Sequence, residues 1–135
     1  MSMLENLDNL GFSNFKNLID VILPKKERRQ SEIIISYLRI YTHLNNAINL
    51  LNKDTLKRAF EHLLITIKIV RQLKFNEERP YLKRISNILN FILKNKEKVM
   101  KEIRREQYSD PFHVKTSVLL AQNICILRIL KINKY

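Results

Sequence analysis

Residues 116–132 read TSVLLAQNICILRILKI, and whether this stretch is helix or strand decides the fold class. It is apolar on most sides, so its periodicity does not settle the matter. One reading is a buried helix. The other is a helix to about Asn123 followed by an isoleucine-rich strand, ICILRILKI. No other part of the chain offers a convincing second strand for it to pair with, so helix is the expectation. Just upstream, Ser109 or Asp110 followed by Pro111 marks a helix start, because proline at the first helical position lacks only a donor that would be unpaired anyway.

Working back towards the N-terminus, each segment has helical spacing. Over 80–107, Leu82, Ile85, Leu89, Ile92, Val99 and Ile103 keep one register, with Lys96 filling the stripe position between Ile92 and Val99. Either that lysine snorkels, or the packed part of this helix ends near Leu93 and the rest projects. Before it, NEERP (76–80) breaks the pattern: Asn76 is placed to cap, the glutamates suit a helix N-terminus, and Pro80 disfavours helix at Arg79.

Over 54–75 the stripe is Leu56, Phe60, Leu63, Ile67 and Val70, with Asn52 or Asp54 as cap. Leu64, Ile65, Ile69 and Leu73 widen it, which predicts a centrally packed helix. Over 27–52 the ladder Ile34, Tyr37, Tyr41, Leu44, Ile48, Leu51 alternates steps of three and four. A short amphipathic helix is expected over 13–23, with Phe15, Leu18, Ile19 and Ile22 inward, Ser13 at its start and Pro24 ending it. The fold class expected is all-α: an antiparallel bundle of four long helices plus a short N-terminal helix, in a single domain spanning 1–135.

Composition supports this. A chain of 135 residues with 45% hydrophobic content suits one globular domain that buries roughly two-thirds of its unfolded surface. The single glycine, Gly11, leaves little material for hairpins and none for a phosphate-cradling glycine loop. Cys125 is alone, so an intramolecular disulfide and a four-cysteine zinc site are both excluded. The N-terminus carries acidic residues where a signal peptide carries cations, and no apolar run approaches the ~20 residues that span a bilayer. An intracellular protein without a membrane segment is expected.

Lys and Arg number 25 against 13 Asp and Glu, a net charge of +12. Such a field attracts nucleic acid or an acidic protein. A lysine-rich surface of compositional origin, from AT-rich codons or growth at high temperature, accounts for the same count.

No catalytic or cofactor motif accompanies the charge. His43, His62 and His113 are far apart and fall in no metal-ligand spacing; His62, beside Glu61, would need a partner on another helix to act in acid–base chemistry. Cys125 in its apolar run reads as a buried, inert thiol. Tyr37 and Tyr41 hold stripe positions and read as core before they read as base-stacking platforms. Catalytic residues, cofactor, metal and small-molecule substrate are therefore all expected to be none.

Two basic runs remain. Residues 94–105 carry six cations against Glu97 and Glu102, a net of +4. Lys94, Lys98, Lys101 and Arg105 recur at steps of four, three and four, so they share one helix face at intervals of about 5 to 6 Å, close to the phosphate spacing of a nucleic-acid strand. The competing reading is a solvated face balanced by pairs such as Glu97 with Lys101, with cations at a helix C-terminus favoured by the dipole. The second run, Lys25, Lys26, Arg28 and Arg29, stands at a helix start, where the dipole disfavours cations, and its placement therefore points to use. These eight residues are the expected contacts for nucleic acid or an acidic partner.

The succession TLKRAFEHLLITIKIVRQLKF (55–75) then RPYLKRISNILNFILKNKEKVMKEI (79–103) resembles the two central helices of the helical domain in archaeal GINS subunits. The segment ILRILKI (126–132) is similar to the first strand of their small β-domain. The resemblance spans at most half the chain and transfers no individual functional residue. It implies a non-enzymatic subunit that assembles with partner subunits at the replicative helicase.

The function expected is a non-enzymatic helical scaffold subunit of a nucleic-acid-handling complex, most concretely a GINS-like DNA replication factor that forms homo- or hetero-oligomers. An alternative is a direct nucleic-acid binder, such as an archaeal-virus DNA-packaging or coat protein, with a place in the virion, or a small helical CRISPR effector subunit. A third is an enzyme built on a helical bundle, which would require a bound metal or cofactor.

Overall fold

The computed structural model of the chain describes residues 27–104 and 113–133. Five α-helices pack together: α1 (Arg28–Asn49), α2 (Leu56–Gln72), α3 (Arg79–Lys94), α4 (Lys96–Arg104) and α5 (Val114–Asn133), with a 3-10 turn at Asn76–Glu78 ahead of α3. No strand occurs among the described residues. The expected helix at 13–23 and the start signal at 109–111 lie outside them.

The stretch that decided the class is helical throughout. α5 runs without interruption across 124–132, so the segment likened to a GINS strand forms the last turns of a helix. Ile124, Cys125, Ile129 and Ile132 turn inward at helical spacing, and the core on that side requires this period.

α1 packs most extensively against α2 and α5, while α3 contacts α5 and α2, so four helices enclose one core. Of the alternating ladder, Ile34, Tyr37 and Leu44 of α1 are fully buried while Tyr41, Ile48 and Leu51 are only partly so, and Ile40 and Ala47 complete the buried face. The buried residues meet Leu56, Phe60 and Leu63 of α2, Leu82, Ile85, Leu89 and Ile92 of α3, and Val114, Val118 and Ala121 of α5 in one cluster. Burying each large aliphatic chain contributes about 1.5 to 3 kcal/mol, which is what draws these stripes together. α2 is not the central helix its broad stripe predicted. Leu64 and Ile65 remain exposed, and α1 makes the most extensive contacts, with α2 and with α5.

Local chemistry explains the joints. Asn52 Oδ1 accepts the N–H groups of Asp54 (3.0 Å) and Thr55 (3.2 Å), and the Thr55 hydroxyl donates to the Leu50 carbonyl, closing the α1–α2 turn. Asn76 makes no cap bond, and Arg79 adopts helical angles despite the following proline. The 3-10 turn before it is held by ion pairs of Glu77 and Glu78, described below, and these outweigh the local preference. The helix expected over 80–107 is two helices. Asn95 (φ −101°, ψ 16°) interrupts it, its side-chain amide donating to the Phe91 carbonyl at 2.8 Å in competition with the helix ladder.

Beyond that break the chain stays packed: Val99 is fully buried. Lys96 does snorkel, placing its ammonium 5.7 Å from the centre of the Phe60 ring.

Candidate functional site

The basic face at 94–105 is divided by the break at Asn95. Lys94 ends α3, whereas Lys98 and Lys101 are exposed on α4. Glu97, Lys98, Met100, Lys101 and Arg104 line an open surface depression. The Glu97–Lys101 pair of the competing reading does not form, and neither Lys98 nor Lys101 has an ion pair with a described residue. Arg105 lies outside the described residues.

The second run is differently disposed. Lys25 and Lys26 lie outside the described residues. Arg28 pairs with Glu32 one turn on, at 3.3 Å between two exposed side chains, a contact of small energetic weight. Arg29 reaches across the molecule to Glu77 with two parallel hydrogen bonds (2.8 and 2.9 Å) and covers the Phe75 ring at 5.4 Å. Those hydrogen bonds hold the Glu77 carboxyl below its usual range and raise Arg29 further. Arg29 is thus already engaged in tying α1 to the turn before α3.

Beside it lies a buried polar centre that local sequence reading missed. Glu78, 1% exposed, receives both Nε and Nη2 of Arg128 at 2.6 Å and the hydroxyl of Tyr37 at 2.8 Å. The Arg128 guanidinium also stacks over Tyr81 at 4.4 Å. Burial and the Glu78 carboxylate push the Tyr37 hydroxyl far above its normal range, and the same carboxylate raises Arg128. Tyr37 is therefore a core residue with its hydroxyl consumed, not a stacking platform. One signal was available: Arg128 is the only charge between Val118 and Leu130, and a cation in so apolar a run needs a buried acid.

His43 on α1 and His62 on α2, distant in sequence, face one another. Their Nδ1 atoms are 3.1 Å apart, a hydrogen bond in which one ring donates and the other accepts, and the ring centres are 5.4 Å apart. Desolvation lowers both imidazoles below the usual value, assisted for His43 by His62 and Arg39 and for His62 by Arg58. No cluster of three metal-ligating side chains occurs among the described residues. Cys125 is buried, and burial drives its thiol far above the usual range, leaving it unreactive.

α5 presents an apolar exterior. Leu119 and Leu120 are 50% exposed and Leu127 is 66% exposed, and their spacing places all three on the face turned away from Val118, Cys125 and Ile129. No described helix is long and apolar enough to cross a membrane. Comparison with protein-family models, with curated proteins and with solved structures yields no match.

Proposed function

We propose that the chain is a non-enzymatic helical scaffold subunit of a nucleic-acid-handling complex, built as an antiparallel bundle that joins a protein partner through the outer face of α5. The observation that carries this reading is the row Leu119, Leu120, Leu127, half to two-thirds exposed on one side of a 20-residue helix. Three large leucines on one face favour a covering surface, since each would contribute on the order of 1 to 2 kcal/mol once covered. The GINS-like replication factor is its most concrete form. That form draws on the succession of α2 with α3 and α4, and draws nothing from 126–132, which are helical.

Light scattering tests it. The chain is expected to self-associate or to require a partner for solubility, and Leu120→Glu with Leu127→Glu is expected to disperse it without loss of helix. A stable monomer at high concentration, unchanged by those substitutions, overturns it.

A second reading, direct binding of nucleic acid as in a virion packaging protein or a small CRISPR effector subunit, is favoured by α4. Exposed lysines that pair with no described acid repel one another along a face, and a polyanion relieves that repulsion. Affinity for a DNA or RNA duplex should then fall steeply with salt. Reversing Lys94, Lys98 and Lys101 to glutamate should flatten the slope by about 0.9 for each phosphate contact removed. A slope that ignores these changes excludes α4 as the contact.

A further inference from the structure

The groove between α1 and α2 holds a second group of cationic side chains. Arg39 stands one turn before His43 on α1, and Arg58 one turn before His62 on α2. The short connection 50–55 returns the chain along α1, and the contact between the two rings sets the register. The arginines therefore flank the imidazole pair on opposite sides along the groove, each about 6 Å away in rise. Both arginines are exposed and neither has an ion pair with a described residue.

The ring edges are open too. No hydrogen bond to Nε2 of either histidine occurs among the described residues. The one buried side-chain nitrogen or oxygen without a partner there is Nδ2 of Asn45, so neither Nε2 is sealed from solvent.

We propose that Arg39, His43, His62 and Arg58 form a seat for a phosphate-type oxyanion, and that the imidazole pair gates it by taking up one proton. In the neutral pair one Nδ1–H donates to the other Nδ1. The first added proton goes to the free Nε2 of the donor ring, which keeps that bond and strengthens it by charge. A second proton would have to sit on the accepting Nδ1 and would oppose two N–H groups at 3.1 Å, so the pair accommodates one proton without losing its hydrogen bond and resists another.

Among the described residues the charged groups acting on the rings are Arg39 from α1 and Arg58 and Glu61 from α2, and no described charged group of α3, α4 or α5 contributes. The arginines oppose protonation as long as the groove is empty. An oxyanion between them reverses that sign, and Nε2–H becomes a further donor to it.

Two nitrogens 3.1 Å apart also resemble the span of two ligands on one metal with bonds of about 2.0 to 2.1 Å. The flanking arginines and the lack of a third ligand among the described residues argue against a cation there. The seat uses no side chain of α4 or α5, so its test stands or falls separately from the function proposed above; it extends that reading by naming a phosphate-bearing ligand.

Inorganic sulfate is a suitable probe because it keeps both charges from pH 5 to 8. Histidine ring signals of the full chain, followed by NMR at constant ionic strength, should show sulfate raising the titration of His43 and His62 and leaving His113 in place. By linkage, sulfate affinity should rise by the same factor as protonation is favoured, about fivefold or more between pH 7.5 and 5.5. Arg39→Gln and Arg58→Gln, both at exposed positions, should each weaken sulfate several-fold while preserving the His43–His62 contact. His43→Gln with His62→Gln should abolish the pH dependence. Sulfate that moves no histidine signal, affinity indifferent to the arginines, or zinc ions that bind the pair at neutral pH in place of sulfate would each overturn the proposal.

Discussion

Arg128, Glu78 and Tyr37 show what one buried charge demands of its surroundings. Glu78 sits at 1% exposure, and its two oxygens are taken up by a guanidinium fork and a phenol. Removing the arginine alone leaves an uncompensated carboxylate in the core. Arg128→Met is therefore expected to cost about 3 to 5 kcal/mol in denaturant unfolding, and the double change with Glu78→Gln to recover much of that loss. Tyr37→Phe, which removes one donor to a charged group, should cost roughly 1.5 to 3 kcal/mol. At His43 and His62 the sign is set by depressed imidazoles, which hold fewer protons folded than unfolded between their folded values and the ordinary 6.5. Stability in that interval rises with pH. The melting temperature should be level above about pH 6.5 and decline below it, and His43→Gln with His62→Gln should flatten that decline.

The helices differ in what sets their limits. α1 ends and α2 begins where asparagine and threonine side chains satisfy the turn between them, and α3 ends at Asn95, whose amide bonds back to Phe91. Replacing Asn95 by alanine removes that competitor and should stabilise the junction by about 0.5 kcal/mol, with a gain of helical circular dichroism as α3 and α4 merge. The apolar stripes of α1 and α3 were legible, because burial on one face imposes a period of 3.6 on the sequence. α5 was harder to read, since an exterior of Leu119, Leu120 and Leu127 opposite an apolar interior leaves no period to detect. Its helical state follows from the core it completes with α1 and α3.

For the whole molecule, the net charge of +12 is spread over surfaces with different fates. Arg29 and Arg128 are consumed in ties between helices, whereas Lys98 and Lys101 on α4 and Arg39 and Arg58 on the α1–α2 groove have no ion pair with a described residue. A cation count alone does not separate these groups. Scarce glycine, three- and four-residue apolar spacing and the want of a second strand were enough to determine helices throughout the described residues, with Tyr37, Leu44, Phe60, Leu89 and Val99 inside, because local period and burial are the same physical fact. Tertiary structure alone decided that Arg29 meets Glu77, Arg128 meets Glu78 and His43 meets His62. Those pairs join residues 48, 50 and 19 positions apart, and charge and hydrogen-bond complementarity depend on distances in space that spacing along one helix does not carry.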